Sequence, residues 1–178
     1  MQQIYLDNAA TTPVRPEVEE VMQPYFCEKY GNPSGIYKMA SECRQALETV
    51  RKQIGKTLKV SAEEIYFTSG GTESDNWAIK STAQRLKEKG KHIITSKIEH
   101  HAVLNSCAYL ETQGFEVTYL DVDEWGCVRF DALQRAIRKD TILISIMYAN
   151  NEVGTIQPIG QIGKIAKEND IFFHTDAV

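Results

Sequence analysis

Short apolar runs alternate along this chain with longer stretches whose apolar residues recur every three or four positions. The runs at 65–68, 92–95, 116–120, 141–147 and 171–174 are rich in β-branched and aromatic residues and read as strands. Helical periodicity fills the intervals, over about 73–89, 102–113, a stretch starting at Asp131, and 159–168. Gly90 and Gly114 close two of these helices, and Pro158 precedes another. Upstream, Pro16 opens a helical pattern carrying Val18, Val21, Met22, Tyr25 and Phe26, and the turn-rich stretch 30–35 ends it. A second amphipathic helix covers about 39–58, with Ala40, Cys43, Leu47, Val50 and Ile54 on one face. Ser61 and Glu64 have the spacing of a capping box.

From Ile65 onward, strand and helix follow each other without a linker or internal repeat. That order predicts an α/β fold: a mostly parallel sheet with right-handed crossovers and helices on both faces, preceded by an N-terminal helical segment. The division expected is residues 1–60, a loop and helices, and 61–178, the sheet-bearing part.

Composition narrows the function classes. The 178 residues are 42% hydrophobic and 25% charged, with a net charge of −4, which offers no electrostatic attraction for nucleic acid or an anionic membrane. The N-terminus has neither the basic start nor the apolar core of a signal peptide, and no apolar run reaches the roughly 20 residues that span a bilayer. A cytoplasmic protein is the expectation. Cys27, Cys43, Cys107 and Cys127 are scattered and contain no CxxC pair, so neither a disulfide framework nor a zinc site is expected.

Parallel sheets hold ligands beyond the carboxyl ends of their strands, so the residues that follow each run carry the candidate chemistry. The run at 65–68 leads into Ser69-Gly70-Gly71-Thr72-Glu73 and a helix, an arrangement suited to a phosphate. The first-turn N–H groups lack intrahelical partners, the helix dipole is positive there, and glycine permits positive φ and close approach. Alone, Gly-Gly-Thr reads more readily as a helix cap with Thr72 or Ser74 at the N-cap than as a binding site. The later runs are followed by Glu99-His100-His101, by Asn150-Asn151-Glu152 and by Thr175-Asp176. No GxGxxG follows a strand, and no P-loop is present. A cofactor with one phosphate and an aromatic ring suits these clusters. Pyridoxal phosphate needs a phosphate site and an acid beside its ring nitrogen, which Thr72 and Asp176 could provide. His100-His101 is a poor metal pair because adjacent side chains diverge, so no metal is expected.

These residues also carry a family resemblance. The stretches 6–12, 30–34, Phe67-Thr68-Ser69-Gly70-Gly71-Thr72-Glu73-Ser74-Asp75-Asn76, Glu99-His100, 150–154 and His174-Thr175-Asp176-Ala177 resemble, in order, the N-terminal part of NifS/IscS-type cysteine desulfurases. These are pyridoxal-phosphate enzymes of the class-V aminotransferase group, fold type I. The resemblance implies that Gly71 and Thr72 hold the cofactor phosphate, and that His100 lies against the ring and moves protons on the substrate. Asn151 would bond the phenolic oxygen of the ring, and Asp176 its nitrogen. It further implies L-cysteine as substrate, alanine and an enzyme persulfide as products, a sulfur acceptor or iron–sulfur scaffold protein as partner, and a homodimer.

Gly35 and Tyr37 depart from the family pattern after Asn-Pro-Ser. The resemblance puts residues 1–60 in the small domain and the entry to the large one, with 61–178 an incomplete large domain. It places the cofactor-tethering lysine and the persulfide cysteine beyond Val178, and neither Lys167 nor any of the four cysteines matches them. The chain alone is therefore expected to be inactive, poorly soluble or self-associating. The competing readings are a selenocysteine lyase or another pyridoxal-phosphate lyase or aminotransferase, a non-catalytic half completed by another chain, and a nucleotide-binding α/β module.

Overall fold

A computed structural model describes residues 4–178. Its contacts divide the chain into two units, one ending at Phe67 and the other running from Thr68 to Val178. The boundary between them lies seven residues after the expected one at 60/61, so the 3-10 turn and the extended stretch behind it fall to the first unit.

The first unit holds α1 (Pro16–Cys27), α2 (Lys38–Leu58) and a 3-10 turn at Ala62–Glu64. Proline occupies the first turn of α1 as expected. None of its residues is buried, so the apolar face read from the sequence is exposed. The capping box is present: the Glu63 N–H donates to Ser61 Oγ at 3.4 Å, and the Ser61 N–H donates to Glu64 Oε2 at 2.8 Å. Residues 65–68, expected as a strand, join no ladder among the described residues. Their β-rich composition suits a pleated surface, but a strand exists only where a neighbouring backbone pairs with it.

The second unit consists of α3 (Gly71–Leu86), β1 (His92–Ser96), α4 (His101–Thr112), β2 (Glu116–Leu120), α5 (Phe130–Ala136), β3 (Thr141–Ser145), α6 (Ile159–Glu168) and β4 (Phe172–His174). The four strands are parallel in the order β2-β1-β3-β4. The chain therefore steps one way from β1 to β2 and the opposite way through β3 to β4. Right-handed crossovers then require α4 on one face and α5 and α6 on the other. The core obeys this. Ile79 and Ala83 of α3 and Val103, Cys107 and Leu110 of α4 pack with Ile93 and Leu143, whereas Leu133, Ile162 and Ala166 pack with Ile94 and Ile144. β1 and β3, covered on both faces, are buried at every position.

At the amino edge, buried His92 lies 2.8 Å from both Thr141 Oγ1 and Thr118 Oγ1 and ties three strands together. Burial holds its imidazole below the usual histidine range. Arg138 pairs there with Glu116 and Asp140. Gly90 makes the turn from α3 possible, since a Cβ at this position would stand 2.2 Å from the Asp140 carbonyl oxygen.

Candidate active site

The sheet changes direction between β1 and β3, and at such a switch point the loops beyond two adjacent strands diverge and leave a crevice. Two buried side chains stitch the loops together at that point. Glu99 accepts a hydrogen bond from Ser96 Oγ at 2.6 Å and another from the Met147 N–H at 3.1 Å, both through Oε1. Asn150 donates from Nδ2 to the Ile98 carbonyl at 2.9 Å, while its Oδ1 accepts from the N–H groups of Glu152 and Val153. Burial pushes the Glu99 carboxyl up to about 7, against the pull of those two hydrogen bonds. Its other oxygen, and the hydroxyl of Thr175 beyond β4, are buried without a hydrogen-bond partner.

His100 is the N-cap of α4. Its Nδ1 accepts from the Ala102 N–H at 3.1 Å, which leaves Nε2 as the protonated nitrogen of a neutral ring. The ring is exposed, as is that of His101 on the first helical residue. The ligating atoms of His100, Asp75 and Asp176 all lie within 4.8 Å of one another. Asp176 stands two residues past β4, where its carbonyl accepts from the Tyr148 N–H at 2.6 Å and its Oδ1 from the Val178 N–H at 3.1 Å.

The glycine turn behaves differently from its sequence reading. Neither Gly70 nor Gly71 has a left-handed φ: Gly70 is extended at 160° and Gly71 begins α3. Close approach is the real demand at Gly71, because a Cβ there would lie 2.5 Å from Val178 Cγ2. The cap reading also fails, since Gly70 is the N-cap and no side chain caps the helix. Glu73 turns back to the N–H and hydroxyl of Ser69, at 2.6 and 2.8 Å, while the Ser74 hydroxyl meets that of Thr68 at 2.7 Å. The first-turn N–H groups of α3 are thus left without a capping oxygen, and a Cβ at Gly70 would meet only open space.

These residues fit a cofactor with an anionic end and a ring nitrogen. The uncapped N-terminus at Gly71 and Thr72 suits the anion, and Asp75, one turn further along α3 on the acid side, stands with His100 and Asp176. Asn151 is exposed in the turn after β3, while its neighbour Asn150 braces that turn. The structure thus brings His100 and Asp176 together and adds Asp75, Glu99 and His174, to which the sequence pattern assigns no role. One signal for Asp75 was legible. It shares a helical stripe with Ile79 and Ala83, at i, i+4 and i+8, so a carboxylate sits in the core-facing row.

The class-V aminotransferase family model matches residues 4–178. The chain belongs to that family. Its members are pyridoxal-phosphate enzymes. Among curated relatives, the cysteine desulfurase IscS of Methanosarcina thermophila is 64% identical over 175 residues, 98% of this chain and 43% of the relative. That of Dictyoglomus turgidum is 60% identical over 177 residues, covering 99% and 45%. A solved structure described as a NifS-like protein superposes with a TM-score of 0.96 at 44% identity, over 99% of this chain and 49% of its own. Another, SspA in complex with cysteine, gives 0.93 at 46% identity, over 97% and 50%. The chain spans about half the length of the relatives it matches. Among the described residues, no helix is long and apolar enough to cross a membrane.

Proposed function

We propose that this chain carries the cofactor-binding part of a cysteine desulfurase, which takes sulfur from L-cysteine and leaves alanine and an enzyme persulfide. The observation that carries the reading is the convergence of Asp176, His100 and Asp75 within 4.8 Å in the same unit as the uncapped N-terminus of α3. Backbone N–H groups at Gly71 and Thr72 hold the cofactor phosphate with help from the helix dipole. The Asp176 carboxylate stabilises a protonated ring nitrogen. Pyridoxal phosphate, when bound, supplies an electron sink that acidifies the substrate Cα–H. His100, with Nδ1 already committed to the Ala102 N–H, presents Nε2 for proton transfer on the substrate. Asn151 donates to the phenolic oxygen of the ring.

The cofactor-tethering lysine and the persulfide cysteine are assigned to no residue of this chain, so the 178 residues by themselves are expected not to turn cysteine over. The complete enzyme works as a cytoplasmic homodimer and hands sulfur to an acceptor such as an iron–sulfur scaffold protein. Titration of the chain with pyridoxal phosphate should change its visible absorbance, and titration with ATP should not. Asp176→Ala should weaken that change by about tenfold or more, the equivalent of one lost pKa unit of charge pairing. An unchanged spectrum with pyridoxal phosphate, or alanine released from cysteine by the chain alone, would refute the corresponding half of the reading.

A further inference from the structure

Asp75 has no part in the roles above, yet it is 3% exposed and occupies the core-facing row of α3. A carboxylate buried for structural reasons is normally matched by donors or a counter-charge. The groups facing Asp75 come from three other elements. His174 at the end of β4 places Nε2 3.5 Å from Asp75 Oδ1, longer than a hydrogen bond, and its Nδ1 is 2.9 Å from Ser145 Oγ. Burial holds the His174 imidazole below its ordinary range, so it is a neutral neighbour rather than a counter-ion. Asp176, beyond β4, adds like charge, and His100 at the α4 N-cap would offset part of it only with its ring protonated. Glu99 lies close enough for its carboxyl to feel both aspartates. Nothing in this set compensates a full negative charge on Asp75 while the site holds no cation.

We propose that Asp75 is a positioning residue for Asp176: a second, buried carboxylate, backed by the Ser145–His174 pair, whose charge is matched only when a cationic ring nitrogen binds at Asp176. This deepens the pyridoxal-phosphate reading and takes its ligand from it. The fold would then hold Asp75 at a cost to its own stability, with the compensation arriving on binding. The Asp75 carboxyl is pushed up to about 6, first by burial and then by Asp176. Its charge is therefore half developed at that pH and falls to about a tenth at pH 5.

The test compares the parent with Asp75→Asn, which keeps the shape and removes the charge. In urea unfolding without cofactor, the Asp75→Asn midpoint should exceed the parent's at pH 7.5, and the excess should shrink as pH falls towards 3.8, below which folded and unfolded chains both hold the proton. In pyridoxal-phosphate titrations followed by visible absorbance, the variant should bind about tenfold more weakly at pH 7.5, and the ratio of affinities should approach one at pH 5. Titration of the cofactor phosphate is common to both proteins and cancels in the ratio. A variant less stable than the parent at pH 7.5, including one that fails to fold, would show a structural carboxylate and overturn the proposal. So would an affinity ratio that is flat across pH while the parent binds normally. Failure of the parent itself to bind at any pH defeats the cofactor reading and removes the ligand on which this role depends.

Discussion

Single residues at this site trade stability for placement, and Glu99 shows the sign. Its folded carboxyl titrates near 7 against an ordinary value of 4.5. Below about 4.5 both folded and unfolded chains hold the proton, and between the two values only the folded chain does. Stability contributed by this group is therefore full at low pH and lost as pH rises towards 7. Glu99→Gln mimics the protonated form, so its urea midpoint should track the parent at pH 4 and exceed it at pH 8, by on the order of 3 kcal/mol at most. Glu99→Ala instead abandons the Ser96 hydroxyl and the Met147 N–H and should lower stability by about 1–3 kcal/mol at pH 4, a loss that shrinks as pH rises because alanine also escapes the cost of ionising the buried carboxyl. The position of Glu99 next to His100 was legible in the sequence. Its partner Met147, 48 residues away, was not.

At the scale of elements, local rules held where the signals were local. Proline at the start of α1, the capping box after α2, and the helix at Ile159–Glu168 all formed where the pattern placed them. The helix after the glycine turn begins at Gly71 rather than Glu73, because glycine itself serves as N-cap. The failure at 65–68 has a different origin: strand character in a sequence is only an offer of pairing, and among the described residues no ladder accepts it. β3 makes the opposite case, paired on both edges and buried on both faces. Ile144→Ala, at a fully buried position of β3, should cost about 2–5 kcal/mol, read from the shift in the denaturation midpoint. Ser61→Ala removes one half of the capping box and should cost only about 1 kcal/mol.

The whole molecule is uneven in its burial. The unit from Thr68 to Val178 has two packed clusters, one on each face of its sheet, whereas the unit ending at Phe67 exposes Val21, Phe26, Tyr30 and Leu58 by 63% or more of their surface. Apolar exposure of this kind favours association. Size-exclusion chromatography with light scattering should find the chain self-associated at micromolar concentration, and a monodisperse monomer would count against that expectation.

Periodicity, glycine and proline punctuation, and the order of motifs are written along the chain, and they determined the α/β class and the parallel sheet and marked the candidate site residues. Strand order is a matter of pairing between distant segments, so only the tertiary structure located the switch point between β1 and β3. Burial likewise depends on what packs around a side chain. The stripe of Asp75, Ile79 and Ala83 marks a core-facing carboxylate in the sequence, yet packing alone sets it beside Asp176 and raises its carboxyl to about 6.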